Sequence, residues 1–156
     1  MHARCKVLVV LSILGIAAPA GLLLAAASAR ELQKARHDHY HELGDAFKTV
    51  RDQSRAGSPN LVKIKAAAQV INEASIDQGR WFPPGTGPEA GKTRALPVIW
   101  EKPEDFKAAQ KVFSDAAPKL LSAANAGDVD AVKSTYGDLG KACKNCHDTF
   151  RAPEKD

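Results

Sequence analysis

The sequence predicts an all-α protein: an antiparallel four-helix bundle with a long loop between its second and third helices, preceded by a cleavable signal peptide. After residue 30, no stretch alternates apolar and polar residues for long enough to form a strand, whereas four stretches repeat apolar residues at helical spacing. Such a repeated seam is typical of helices packed nearly parallel. Two of the three connections are short, and short connections make consecutive helices antiparallel neighbours.

The first 29 residues have the three parts of a secretory signal peptide. A basic start is followed by an uncharged apolar run over residues 7–27, which ends in the small residues Ala27-Ser28-Ala29. An uncleaved membrane anchor is the alternative, because the run is long enough to cross a bilayer of about 30 Å. The small-residue exit favours cleavage after Ala29, which divides the chain into a signal peptide (1–29) and a single domain (30–156).

The composition of the predicted mature domain excludes some classes of partner. Cleavage removes two of the 22 Lys and Arg and none of the 18 Asp and Glu, which leaves a formal charge of +2. No basic stripe of the kind that binds nucleic acid is present, so nucleic-acid binding is not expected. No second apolar run is long enough to span a membrane, so no membrane association is expected after cleavage.

The first two helices are predicted over roughly residues 31–55 and 60–78. Ser58-Pro59-Asn60 is a plausible start signal for the second helix. The first helix places its apolar residues along one side: Leu32, Ala35, Tyr40, Leu43, Phe47 and Val50.

The last two helices are predicted over roughly residues 103–126 and 128–150. Pro103 opens the third helix, where a missing N–H costs least, but Pro118 inside it should kink the helix or open a turn. The long loop before it, residues 79–102, is rich in Gly and Pro and contains several aromatic residues, which indicates that it packs against another part of the protein. The fourth helix has an unbroken apolar seam: Val129, Val132, Tyr136, Leu139, Cys143, Cys146 and Phe150.

The fourth helix ends in Cys143-Lys144-Asn145-Cys146-His147, the Cys-x-x-Cys-His pattern of covalent haem attachment. On a helix, residues three and four positions apart share one face. Two thiols there can form thioethers to the two haem vinyl groups, and the adjacent imidazole of His147 can reach the iron from the same side. The motif therefore predicts one haem c, with His147 as the metal ligand.

Three other interpretations of the cysteine pair are less well supported. A thioredoxin-like centre would need a βαβ surround, which the sequence does not predict. A zinc site would need a second Cys or Cys/His pair, and none is present at matching spacing. Chance occurrence in a polar tail remains, but both cysteines of the predicted mature chain fall in this one motif.

The stretch from Gly137 to Arg151 resembles the C-terminal haem helix of the cytochrome c prime family, the class II c-type cytochromes. The likeness extends to Pro84-Gly85-Thr86-Gly87 and Pro97-Val98-Ile99-Trp100 in the long loop, and to residues 123–128 before the fourth helix. On the first helix it covers Arg36 followed by Tyr40, Leu43 and Phe47. In effect the resemblance covers the whole predicted mature chain.

The resemblance implies roles for further residues. Arg151, one turn beyond His147, resembles the basic residue beside the family's proximal pocket. Arg36 resembles the first-helix arginine close to the haem, where a cation can neutralise a propionate. Simple solvation is the alternative for both arginines.

The sixth coordination position decides the function. Low-spin relatives carry a Met there, at the position of Tyr40, but the only methionine of this chain is Met1. The resemblance implies that Tyr40 lines the pocket, leaves the iron five-coordinate and restricts the cavity to small diatomic molecules. The alternative is that His39 turns inward as a sixth ligand, which would give a low-spin bis-His electron carrier.

Two other histidines lie on the same helix. His37 and His41 are one turn apart and could together bind a surface metal ion, but the sequence shows no third ligand. A solvated face with Asp38 and Glu42 as local carboxylates is the favoured interpretation.

The first functional hypothesis is a periplasmic haem protein that binds a small gas, and the resemblance makes nitric oxide the expected ligand. The second is electron transfer with redox partner proteins, which a five-coordinate haem can also perform. An enzyme is not expected, because the sequence offers no clear acid–base pair for the distal side. Family members often form dimers, so a homodimer is compatible with the resemblance.

Overall fold

The computed structural model describes residues 20–154, with side chains from residue 28 onward. Most of the predicted signal peptide, residues 1–19, therefore lies outside the described residues. The expected cleavage point after Ala29 falls within the first helix, which begins at Ala20. Among the described residues, no helix is both long and apolar enough to cross a membrane.

The structure is a bundle of four long helices, and the predicted fold class is confirmed. Two short helical segments occur in the long loop, where the sequence predicted none: a 3-10 helix over Gln78–Trp81 and a single α-helical turn. The α-helices are α1 (Ala20–Arg55), α2 (Leu61–Asp77), α3 (Val98–Glu101), α4 (Pro103–Ala126) and α5 (Val129–Phe150). The predicted third and fourth helices correspond to α4 and α5, and all predicted boundaries except the start of α1 are met within one or two residues.

Local caps set the helix boundaries. The side chain of Asn60, in the predicted start signal, accepts a hydrogen bond from the Lys63 amide at the start of α2 (3.0 Å). Asp128 does the same for the amide of Ala131 at the start of α5 (2.9 Å). Between α4 and α5, Gly127 adopts a left-handed conformation (φ 71°), which ends α4.

Pro118 does not open a turn in α4, which continues without interruption from Pro103 to Ala126. The proline removes one backbone hydrogen bond. However, its exposed ring faces away from the core, while Ala117 and Leu120 on the opposite side are fully buried. Packing of these two residues in the core keeps α4 helical on both sides of Pro118.

The helices enclose one main core and a smaller cluster. α1 packs on α2, α2 on α4 and α4 on α5, and α1 also contacts α5 to close the bundle. Burial of each large aliphatic side chain in the main core stabilises the fold by about 1.5–3 kcal/mol. The main core contains the fully buried Val50, Ile64, Ile71, Leu120 and Leu139. The smaller cluster consists of Ile99, Phe106 and Phe150, with Phe82 and Trp100 packed against them.

The long loop packs against the end of α5, as its aromatic residues indicated. The Leu96 amide donates to the Phe150 carbonyl (3.0 Å), and the Ala152 amide donates to the Arg94 carbonyl (2.8 Å). Ala95 and Arg151 thus form an antiparallel bridge. This bridge fixes the chain directly after the Cys-x-x-Cys-His motif.

Candidate functional site

The motif residues lie in the last two turns of α5. Cys143 is half-buried and packs against the main core, whereas Cys146 is half-buried against the smaller aromatic cluster. Both thiols are free. His147, the next residue, is exposed. The helix therefore presents two thiols to the interior and an adjacent imidazole near the surface.

The environment of the thiols differs from that of a redox-active pair. Burial raises the pKa of Cys143 to about 11, and burial also raises the pKa of Cys146. Redox-active cysteines have the opposite shift, because they react as thiolates near neutral pH. The structure therefore gives no support to the thioredoxin-like interpretation.

His147 is flanked by two arginines. Partial burial lowers the pKa of His147, and the charges of Arg151 and Arg94 lower it further. An Arg151 guanidinium nitrogen lies 3.5 Å from Nδ1 of the imidazole. These effects favour the neutral imidazole, which is the form that coordinates metals.

Arg94 is a residue near the motif that sequence reasoning missed. Its Nε donates to the Ala152 carbonyl (2.9 Å), and its guanidinium lies 3.2 Å from a carboxylate oxygen of Glu154. No local pattern marked this residue, because its position depends on the bridge between the long loop and the segment after α5.

Arg36 is buried and its guanidinium binds the long loop. It donates to the Trp81 carbonyl (3.2 Å), to the hydroxyl and carbonyl of Thr86 (3.0 and 2.8 Å) and to the Thr93 hydroxyl (3.3 Å). It also lies 4.8 Å from the centroid of the Phe82 ring, in cation–π geometry. Arg36 is therefore not a simply solvated arginine.

Gln33, one turn before Arg36, binds the same loop and was also missed by sequence reasoning. Its side-chain amide donates to the carbonyls of Thr86 (3.2 Å) and Gly87 (2.6 Å). Gln33 and Thr86 are both buried. Two consecutive turns of α1 therefore hold the Pro-Gly-Thr-Gly segment of the loop.

Tyr40 faces the motif cysteines from the neighbouring helix. Burial raises its pKa, and the nearby thiols of Cys146 and Cys143 raise it further, so its hydroxyl stays protonated at neutral pH. Its ring packs at right angles to Trp81 (centroids 5.0 Å apart) and against Phe82 (6.1 Å). Leu43 in the main core and Phe47, which packs on Tyr136 (4.3 Å), continue this wall along α1.

His39 is exposed and lies outside this wall. Its ring stacks on Trp81 with centroids 4.8 Å apart and planes 14° apart. It also lines a cleft of about 310 Å³ between α1 and α2, and neither motif cysteine borders this cleft. The structure therefore presents Tyr40, rather than His39, to the motif.

Together these residues fit a haem c. The thiols lie on the interior side of one helix, the imidazole follows directly, and an aromatic wall faces the thiols from α1. When bound, haem supplies an iron that can take up a small ligand or change oxidation state.

Known proteins with similar sequences and folds agree with this arrangement. The sequence profile described as Cytochrome C' matches residues 31–151. A cytochrome c' of Pararhodospirillum photometricum is 46% identical over 122 residues, which cover 78% of this chain and 91% of the relative.

Two solved structures show the same fold. One is a cytochrome c' described as having an unusual ligand-controlled dimer dissociation (31% identity, TM-score 0.74, covering 80% of this chain and 97% of the other). The other is the nitric oxide complex of a mutant of cytochrome c prime from Alcaligenes xylosoxidans (31% identity, TM-score 0.72, covering 81% and 97%). The profile matches most of the chain, and the bundle presents the attachment motif to an aromatic wall. This chain therefore belongs to the cytochrome c' family of haem-containing cytochromes.

Proposed function

We propose that this chain is exported to the periplasm, cleaved after Ala29, and carries one haem c attached covalently through Cys143 and Cys146. His147 would ligate the iron, and partial burial together with the charges of Arg151 and Arg94 favours its neutral imidazole. The position of both thiols on the interior side of α5, next to this imidazole, is the observation that supports the attachment.

We further propose that the protein binds small diatomic gases, nitric oxide above all, on the side of the haem that faces Tyr40. The position of Tyr40 opposite the thiols carries this proposal. Its ring, together with Leu43 and Phe47, leaves the iron without a sixth protein ligand and excludes larger molecules. The Tyr40 hydroxyl is protonated at neutral pH and can donate a hydrogen bond to a bound ligand. The nitric oxide complex of the Alcaligenes relative supports the choice of gas.

Electron transfer with redox partner proteins is the second function in this proposal. The observation that favours it is the exposure of His147, which puts the proximal side of the site near the protein surface. No enzymatic role is proposed.

A homodimer also belongs to the proposal. The solved relative with ligand-controlled dimer dissociation supports it. On this chain, α2 exposes the apolar side chains of Val62 (78%) and Ile76 (68%), which an interface would cover.

Visible and EPR spectra of the holoprotein, ferric and dithionite-reduced, with and without nitric oxide, test the gas-binding function. We expect high-spin iron that takes up nitric oxide. Tyr40→Ala should bind nitric oxide faster, by about tenfold if the ring adds about 1.4 kcal/mol to the barrier. His39→Ala is the matched control and should leave spectra and rates unchanged.

The competing bis-His function has a distinct signature. It requires a low-spin spectrum in both oxidation states that becomes high-spin in His39→Ala. That result would mean that the protein transfers electrons and does not bind gas.

A further inference from the structure

Three histidines lie within five residues of α1, and none of them belongs to the proposed haem site. His39 stacks on Trp81, whereas His37 and His41 share the outer face of the helix. The side chains of His37 and His41 are 75% and 68% exposed. Their rings are 6.0 Å apart, centroid to centroid, and tilted by 45°. The two rings therefore lie side by side on the surface and are open to ligands.

Each of the two imidazoles has a carboxylate beside Nδ1. Nδ1 of His37 lies 3.5 Å from an Asp38 oxygen, and Nδ1 of His41 lies 3.5 Å from an Asp45 oxygen. For His41 this differs from the sequence-based expectation, since Asp45 one turn further on is the partner and not the neighbouring Glu42. Carboxylates on the Nδ1 side, once they accept the ring proton, fix the tautomer and orientation of metal-binding histidines and raise their basicity. They leave Nε2 of each ring free to bind.

The separation of the rings also fits a shared ion. Bonds from imidazole nitrogen to zinc are about 2.0–2.1 Å long. Two rings at 6.0 Å can therefore reach one ion through rotation of exposed side chains alone. Lys34, one turn before His37 on the same helix, carries a positive charge that would disfavour a cation, but Asp38 pairs with it at 2.5 Å.

We propose that His37 and His41 bind one divalent transition-metal ion such as Zn²⁺, Ni²⁺ or Cu²⁺ through their Nε2 atoms. These borderline cations prefer imidazole ligands. Among the described residues, no cluster of three or more His, Cys, Asp or Glu side chains is arranged to hold a metal ion. The site therefore supplies two protein ligands, and water completes the coordination. It is independent of the haem.

Calorimetric titration of the ferric holoprotein with ZnCl₂ tests this site, after mass spectrometry has shown whether His2 has been removed. We expect one Zn²⁺ per chain. His37→Ala and His41→Ala should each weaken binding by at least about tenfold, and Asp45→Asn by about tenfold through loss of the carboxylate behind His41. His39→Ala and Glu42→Gln are matched controls from the same turns and should bind like the wild type.

Cu²⁺ provides a second readout, because nitrogen hyperfine structure in its EPR spectrum counts the bound imidazoles. We expect two nitrogens in the wild type and fewer in His41→Ala. Absence of Zn²⁺ binding by the wild type would overturn the proposal, and so would undiminished binding by a His37→Ala/His41→Ala double variant. An unchanged Soret band and circular dichroism spectrum in each variant show that the fold and the haem site are intact.

Discussion

At the residue scale, the buried polar contacts between α1 and the long loop set the position of the aromatic wall. Arg36 and Gln33 both donate hydrogen bonds to Thr86, and Arg36 also reaches the Trp81 carbonyl. Trp81 in turn contacts Tyr40, the residue that faces the cysteines. The orientation of Tyr40 therefore depends on loop residues, Trp81 and Thr86, that are more than forty positions away in the sequence.

Thr86→Val tests this network. The substitution keeps the shape of the side chain but removes the hydroxyl that accepts from Arg36 (3.0 Å) and donates to the Pro83 carbonyl (2.7 Å). Because Thr86 is only 1% exposed, water does not replace these bonds. We expect the free energy of unfolding, measured by denaturant titration, to fall by about 1–3 kcal/mol.

Thr149→Val is the control for this substitution. Thr149 is exposed, and its hydroxyl bonds only the Asn145 carbonyl of its own helix (3.4 Å). The free energy of unfolding of Thr149→Val should differ from that of the wild type by no more than about 0.5 kcal/mol. Equal losses in the two variants would show that the Thr86 hydroxyl has no special role in holding the loop.

At the element scale, the junction between α4 and α5 is defined by two adjacent residues. Gly127 ends α4 in the left-handed conformation, and Asp128 caps the first turn of α5. The sequence predicted this short turn, since Gly after a helix and Asp before one are the residues that such positions favour. Pro118 opens no turn because the packing of Ala117 and Leu120 holds α4 together, which no local pattern records.

Two glycine substitutions should have effects of opposite sign. A Cβ at Gly127 would meet Leu61 at an ordinary 3.5 Å, so the cost of Gly127→Ala comes from the backbone conformation (φ 71°) and should be about 1–2 kcal/mol. Gly137 lies within α5, and a Cβ there would meet nothing within 4 Å. Gly137→Ala should stabilise the protein by about 0.8–1 kcal/mol, because alanine is the better helix former.

Denaturant midpoints of the two variants and the wild type provide the comparison. A loss of stability in Gly137→Ala would show that this glycine has a packing role that its open surroundings do not reveal.

At the scale of the whole molecule, the bridge between Ala95 and Arg151 joins the loop to the end of the haem helix. It holds Arg94 and Arg151 beside His147, so the charge around the imidazole depends on a contact between segments more than fifty residues apart. The smaller aromatic cluster packs beneath the same contact and includes Cys146 among its neighbours.

Native-state hydrogen exchange tests whether this bridge is stable in solution. The amides of Leu96 and Ala152 donate the bridging hydrogen bonds, whereas the exposed Lys92 amide in the same loop has no backbone acceptor among the described residues. We expect Leu96 and Ala152 to exchange at least about tenfold more slowly than Lys92, which corresponds to about 1.4 kcal/mol of opening free energy. Similar rates at all three amides would mean that the bridge opens freely.

The sequence by itself determined the four helices, their short connections and the attachment motif. These features depend on residues close together in the chain: apolar spacing of three and four, helix caps, and a motif of five consecutive residues. The tertiary structure decided which α1 side chain faces the cysteines, what Arg36 binds and which arginines flank His147. His39 and Tyr40 are adjacent and both aromatic, so helical periodicity alone separates them poorly. Trp81, which is more than forty residues away, decides between them: His39 stacks on it at the surface, whereas Tyr40 packs against its edge and faces inward.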